Sequence, residues 1–148
     1  MTIVSTEVLN AYSMTATEIR QLMSLFSGQK IPITIFRLNA MNEWSSGNSS
    51  GITKAKEFIT IAKEYNIDVA IDLHTWYTTW DNSFAGSGST INSNRTKYIS
   101  YVQNVITAFS GSNVNAFMVL NEPQARKASA EENQFILDIV KLIINFLN

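Results

Sequence analysis

Cysteine is absent from this sequence, and other features that would indicate a particular class of protein are also missing or rare. Without cysteine the chain can form no disulfide bond, thiolate nucleophile or zinc–thiolate site. Its 11 basic and 12 acidic residues give a formal net charge of -1. Such a balance creates no field that would collect nucleic acid or an acidic membrane surface. We therefore expect no nucleic acid and no membrane among the partners.

Long hydrophobic runs are missing as well. No apolar stretch reaches the roughly 18 residues that a membrane-spanning helix needs, and the segment 1–7 lacks the basic and apolar regions of a signal peptide. No glycine-rich loop follows an apolar strand segment, so nothing indicates a nucleotide cofactor or a doubly wound nucleotide-binding sheet. The single histidine, His74, cannot form a multi-histidine metal site, and a serine triad would need a nucleophile elbow that is absent. We expect neither a cofactor nor a metal.

The 148 residues are 45% hydrophobic and 16% charged, which is typical of one globular domain. Helical spacing of apolar residues predicts four helices, at 15–26, 52–65, 95–109 and 129–146. Short segments rich in apolar and β-branched residues predict strands at 31–38, 68–73 and 116–120, with a weaker candidate at 2–9. Strands that alternate with long helices pair in parallel through right-handed crossovers. The sequence thus predicts an α/β fold with about four β/α units, half of a (β/α)₈ TIM barrel, which has about 250 residues.

Residues at the C-terminal ends of parallel strands form the active site in such folds, and here they are polar and aromatic. They include Arg37 and Trp44 after the second strand, His74, Trp76 and Trp80 after the third, and Asn121 and Glu122 after the fourth. Aromatic faces stack on pyranose rings, amides and guanidinium groups bind hydroxyls, and a carboxyl group can act on a glycosidic bond. The combination predicts a carbohydrate site. The alternative for each tryptophan is that it fills the core beneath a long loop.

Glu122 follows an apolar strand directly and precedes Pro123, which ends the strand by removing a backbone donor. A carboxyl group at that place is only partly solvated, so we expect its pKa to be raised toward the range of a general acid. The alternative is an exposed glutamate in a turn that merely ends the strand.

His74 and Arg37 each have two interpretations. We expect His74 to hydrogen-bond substrate, although a buried histidine satisfied by the backbone fits equally. Arg37 ends an apolar strand and would be costly to bury without a carboxylate. Glu122, Asp72 and a residue outside this chain are the candidates for that carboxylate.

Three segments resemble glycoside hydrolase family 5 and its clan of retaining barrel enzymes. They are Ile-Phe-Arg-Leu at 35–38, Val-Ala-Ile-Asp-Leu-His at 69–74 and Phe-Met-Val-Leu-Asn-Glu-Pro at 117–123. They occur in the order and at about the spacing of the second, third and fourth strands of that family. The resemblance covers roughly residues 10 to 125 and implies a secreted, cellulase-like TIM-barrel glycosidase.

The resemblance also implies a role for each matching residue. Glu122 is then the general acid/base, and Asn121 is the amide that binds the sugar 2-hydroxyl. His74 binds the glycone side of the substrate, and Arg37 orients the catalytic carboxylates. Trp44, Trp76 and Trp80 are placed like sugar-stacking platforms.

The nucleophilic glutamate of that family follows the seventh strand, and residues 1–148 correspond only to the N-terminal half of the barrel. A retaining mechanism needs this carboxylate about 5 to 5.5 Å from the acid/base. We favour a fragment of a longer enzyme over a half-barrel that pairs with a second half, identical or not. The expected activity is hydrolysis of a β-linked polysaccharide by an endoglucanase or mannanase, with glucan, mannan and xylan not distinguished.

Two other classes of protein remain as alternatives. One is a catalytically inactive, carbohydrate-binding half-barrel or pseudoenzyme that uses the tryptophans. The other is an α/β assembly module whose open sheet edges recruit a partner or a second copy.

Overall fold

Parallel strands alternate with helices throughout the residues that the computed structural model describes, which are 5–8, 11–38, 50–73, 91–112, 114–119 and 129–147. The strands are β1 (Ser5–Val8), β2 (Ile33–Arg37), β3 (Asp68–Asp72) and β4 (Val114–Met118). The helices are α1 (Ala16–Gly28), α2 (Ser50–Glu64), α3 (Arg95–Ala108) and α4 (Ala130–Leu147), and short 3-10 turns lie at Ala11–Ser13 and Asn92–Asn94. The predicted α/β alternation is confirmed, including the weaker first strand.

The four strands form one sheet in the order β1-β2-β3-β4, and each neighbouring pair is parallel. Each connection therefore moves one strand further in the same direction, and right-handed crossovers place the intervening helices on one face. In agreement, α1 contacts α2 and α3 contacts α4. A doubly wound sheet reverses its strand order near the middle, whereas the described strands keep one direction, as in part of a (β/α)₈ barrel.

The main core lies between the sheet and the helices. Three side chains of the sheet are fully buried there: Phe36 on β2, Leu38 directly after β2, and Ile71 on β3. The Phe36 ring packs edge-on against Phe58 of α2, with ring centroids 5.0 Å apart. Buried residues of the helices complete this layer, among them Ile19, Met23, Ala55, Val102, Val105 and Ile139. Within the described residues, no helix combines the length and the hydropathy that crossing a bilayer requires.

Side chains alternate along a strand, so one set of side chains from β2 and β3 lies on what we call the second face of the sheet: Ile33, Ile35, Arg37, Asp68, Ala70 and Asp72. Ile33 and Ile35 are half-buried, whereas Arg37 and Asp72 are buried. The second face thus carries the half-buried Asp68 at the beginning of β3, the apolar Ile35 and Ala70 one level further, and the buried charges of Arg37 and Asp72 at the C-terminal ends.

The fourth strand differs from its prediction in extent and in burial. β4 begins at Val114, two residues before the predicted start, and Asn115 and Ala116 are exposed. The cause is its position: among the described strands, β4 is at the edge of the sheet and pairs only with β3.

Candidate functional site

The C-terminal ends of β2, β3 and β4 lie side by side. Arg37 is level with Asp72, and Asp72 is level with Met118. Beyond the strand ends, the Leu38 amide donates to the Asp72 carbonyl at 3.1 Å and the Leu73 amide donates to the Met118 carbonyl at 2.9 Å. We call this line the C-terminal edge of the sheet. The segments that follow the three strands all leave the sheet there, as the sequence predicted.

Most of the predicted site residues lie outside the described residues. These are Trp44, His74, Trp76, Trp80, Asn121 and Glu122. The structure does describe the residues that lead to two of these segments. Leu73, directly before His74, is completely buried, and Val119, three residues before Glu122, is half-buried. The roles of the six residues stay predictions.

Arg37 is described, and it forms an ion pair with Asp72. Its Nε donates to Asp72 Oδ2 at 2.9 Å, and only 5% of Arg37 and 0% of Asp72 is exposed. The sequence left open whether Asp72, Glu122 or a residue outside the chain neutralises this arginine, and the contact identifies Asp72 as a partner. Removing one member of such a buried pair typically costs about 3–5 kcal/mol, because a buried charge is left uncompensated.

Tyr98 supports the end of β4 from the helix side of the sheet. It lies on α3 and is 1% exposed, and its hydroxyl donates to the Val119 carbonyl at 3.4 Å. The rings of Tyr101 and Phe135 pack against it with centroids 5.8 and 6.1 Å away. Burial raises the pKa of Tyr98 well above its ordinary range, and the negative charge of Asp72 raises this pKa further. The hydroxyl therefore stays protonated and remains a donor.

Sequence reasoning did not single out Tyr98. The available signal was its helical spacing with Val102 and Val105, which indicates a core-facing position. A buried tyrosine hydroxyl usually finds an acceptor, but the sequence gives no means of choosing the Val119 carbonyl. Asp72 gave a stronger signal, since an aspartate inside an apolar strand needs a partner.

Clusters of metal-ligating side chains are absent from the part of the chain that the structure describes. No three histidine, aspartate or glutamate side chains there come close enough together to hold a metal ion. The described residues contribute two things to the candidate site. They supply the buried Arg37–Asp72 ion pair, and they align the strand ends from which the following segments leave the sheet.

Comparison with known proteins extends the sequence resemblance to nearly the whole chain. A family model described as cellulase (glycosyl hydrolase family 5) matches residues 8–148. No curated protein sequence matches this chain.

Solved structures share the fold at low sequence identity. The endo-1,4-beta-mannanase from Rhizomucor miehei aligns with a TM-score of 0.64 and 13% identity, over 97% of this chain and 52% of that chain. A protein described as a glycoside hydrolase aligns with a TM-score of 0.61 and 7% identity, over 96% of this chain and 34% of that one. This chain therefore spans about half of the first neighbour and a third of the second.

Proposed function

Because the chain belongs to the cellulase family, glycosyl hydrolase family 5, we propose that the protein carrying it hydrolyses O-glycosidic bonds in a β-linked polysaccharide. The observation that carries the proposal is the family match over residues 8–148, which includes β2, β3 and β4 and the segments after them. The parallel, singly wound sheet supports it, because such a sheet brings these segments to one edge. Residues 1–148 supply the N-terminal half of the barrel in this proposal.

The mechanism we propose is the two-step retaining one. In the first step a glutamate outside residues 1–148 attacks the anomeric carbon, and Glu122 gives its proton to the leaving oxygen. In the second step Glu122 takes a proton from water, the water oxygen bonds to the anomeric carbon, and the ester to the nucleophile breaks. Glu122 thus acts as acid and then as base.

The substrate-binding residues are also part of the proposal. His74 and Asn121 donate or accept hydrogen bonds with sugar hydroxyls, and Trp44, Trp76 and Trp80 stack on pyranose rings. The simplest substrate is a β-1,4-glucan. A β-1,4-mannan is the second candidate, because the first structural neighbour is an endo-1,4-beta-mannanase.

Completing the active site requires the remaining strands of the barrel. We propose that they come from the same polypeptide or from a second chain, identical or not, that packs on this half. The half-buried Ile33 and Ile35 on the second face support this, because that face would lie inside a closed barrel.

The test is Glu122→Gln in the natural polypeptide that carries this sequence. Release of reducing sugar from a soluble β-1,4-glucan and from a β-1,4-mannan is measured for wild type and variant. We expect the variant to lose about 10²–10⁴-fold in kcat, because it has no proton to transfer, while binding of the polysaccharide is kept.

The matched control is Glu57→Gln on α2, which removes a 41% exposed carboxylate from its pair with Lys54, three residues earlier on the helix. Helix pairs at this spacing contribute little. This control is expected to keep wild-type kcat. A wild type that releases no sugar, yet loses polysaccharide binding on Trp76→Ala, would overturn the hydrolase proposal in favour of a carbohydrate-binding pseudoenzyme.

A further inference from the structure

The backbone holds both members of the Arg37–Asp72 pair in place. The two residues are register partners on adjacent parallel strands, so their side chains leave the same face at the same level. The Leu38 amide donates to the carbonyl of Asp72 itself at 3.1 Å. The ion pair therefore links two rigid elements, and sites supported by strands are held more precisely than sites on loops.

The location of the Arg37–Asp72 pair indicates a role other than stabilising the fold. One level below the pair on the second face, the neighbours Ile35 and Ala70 are apolar. Asp68, at the beginning of β3 on the same face, is half-buried, whereas the Arg37–Asp72 pair at the C-terminal edge is buried. Burying an ion pair is no more stabilising than burying apolar residues of similar volume, because both charges must be desolvated. Stability alone would thus be served as well by continuing the apolar pattern.

The guanidinium of Arg37 can bind more than one oxygen acceptor at the same time. A guanidinium has five N–H donors in a fixed plane, and the contact with Asp72 uses the one on Nε. The terminal nitrogens can bind a second oxygen acceptor while Nε is held. A carboxylate at Nε also limits rotation of the long side chain, so the terminal nitrogens take one direction.

We propose that Asp72 is a positioning residue, whose carboxylate fixes the guanidinium of Arg37 at the C-terminal edge of the sheet for the reacting carboxylates. This inference rests on the proposed function and deepens it. Asp72 touches neither the substrate nor the reacting atoms and acts through Arg37.

The test is a double-mutant cycle in the natural polypeptide, assayed with the polysaccharide that the wild type cleaves. Asp72→Glu keeps the charge but displaces the carboxylate by one methylene, and Asp72→Asn keeps the size but removes the charge. Each is measured alone and combined with Arg37→Lys, which keeps the positive charge and loses the planar fork. Thermal unfolding by circular dichroism shows at which temperatures each variant is folded.

We expect Asp72→Glu to lower kcat on the order of 100-fold, as a displacement of about 1 Å can, with KM nearly unchanged. Because Asp72 acts through Arg37, Asp72→Glu should lower kcat no further in the Arg37→Lys background. Asp72→Asn is likewise expected to lower kcat no further in the Arg37→Lys background. The double-mutant cycle can therefore be completed with either Asp72 variant.

A variant that lacks both charges tests whether the pair is needed for folding or for activity. Arg37→Met combined with Asp72→Leu removes both buried charges of the pair, and we expect this variant to melt near the wild-type temperature and to be inactive. A folded Asp72→Glu with wild-type kcat would overturn the inference, as would independent, multiplicative losses in the cycle. Failure of both Asp72 variants to fold in either background would make the role structural and overturn it too. A wild type without activity would instead contradict the proposed function.

Discussion

At the residue scale, the structure identified one partner of Arg37 among the candidates that the sequence left open. Three carboxylates could have neutralised Arg37, and the choice depends on strand register, which sets Asp72 level with Arg37. The 2.9 Å contact with Nε follows from that alignment. The sequence therefore shows which charged residues are present, but which of them pair depends on the alignment of strands that are distant in sequence.

Tyr98→Phe tests the support of the β4 end. The change removes only the hydroxyl that donates to the Val119 carbonyl, so we expect the free energy of unfolding to fall by about 1 kcal/mol. Urea unfolding followed by circular dichroism measures this loss. Tyr65→Phe, in the turn after α2, is the matched control and should change little. An equally stable Tyr98→Phe would show that the hydroxyl contributes nothing there.

Tyr98→Phe also tests how the stability of the fold depends on pH. The pKa of Tyr98 is raised in the folded state above its ordinary value of 10.0, so the folded state holds this proton more tightly than the unfolded state. The contribution is fully present below pH 10.0 and is lost as the pH rises toward the folded pKa. Stability of the wild type should therefore fall more steeply above pH 10.0 than stability of Tyr98→Phe, when both are measured by urea unfolding.

At the element scale, local signals located the starts and the ends of the helices within two residues. The sequence predicted α1 to begin near Thr15, and there Thr15 and Glu18 form a capping box. The predicted end at residue 26 is two residues before the observed end at Gly28. Lys30, with φ 56°, is the left-handed residue after the helix, and the Ile31 amide then donates to the Phe26 carbonyl. Asn66, φ 57°, ends α2 in the same way.

Thr15→Ala tests the capping box of α1. Thr15 Oγ1 accepts from the Glu18 amide at 3.3 Å, and Glu18 accepts from the Thr15 amide at 2.7 Å. We expect a loss of about 1 kcal/mol in the free energy of unfolding, measured by urea unfolding. Thr17→Ala, in the same turn but outside the box, should cost clearly less.

Glu18→Gln tests how the ionised carboxylate of the same capping box affects stability at low pH. The backbone hydrogen bond from Thr15, and then its hydroxyl, lower the pKa of Glu18 below its ordinary 4.5. The contribution is present above 4.5 and is lost as the pH falls through the folded pKa. The stability of Glu18→Gln should therefore fall less between pH 5 and pH 2 than that of the wild type. Parallel slopes for the two proteins would contradict a stabilising role of the ionised carboxylate.

At the scale of the whole molecule, the described residues leave apolar surface open. Leu137 and Ile144, seven residues apart on one side of α4, are 52% and 50% exposed. On the second face Ile33 and Ile35 are half-buried, and β4 is the edge of the described sheet. Open strand edges and large apolar patches favour association.

The 148-residue chain produced alone is therefore expected to self-associate. Light scattering after size exclusion, over a range of protein concentrations, should show a mass above that of the 16.6 kDa chain. Leu137→Glu together with Ile144→Glu should reduce the association if α4 takes part, and exchange of the exposed Leu25 of α1 for Glu is the control. A monodisperse monomer at high concentration would rule out the assembly interpretation.

The sequence by itself determined the alternation of strands and helices, the helix starts and the family, because these depend on local periodicity, capping and short motifs. Hence the predicted segments agree with the strands and helices of the structure within a few residues. Only the tertiary structure decided that the described strands form a singly wound sheet, that β4 lies at its edge, that Asp72 pairs with Arg37 and that Tyr98 reaches Val119. These facts depend on strand order and register, which join residues distant in sequence, and a linear pattern of residues does not specify that alignment.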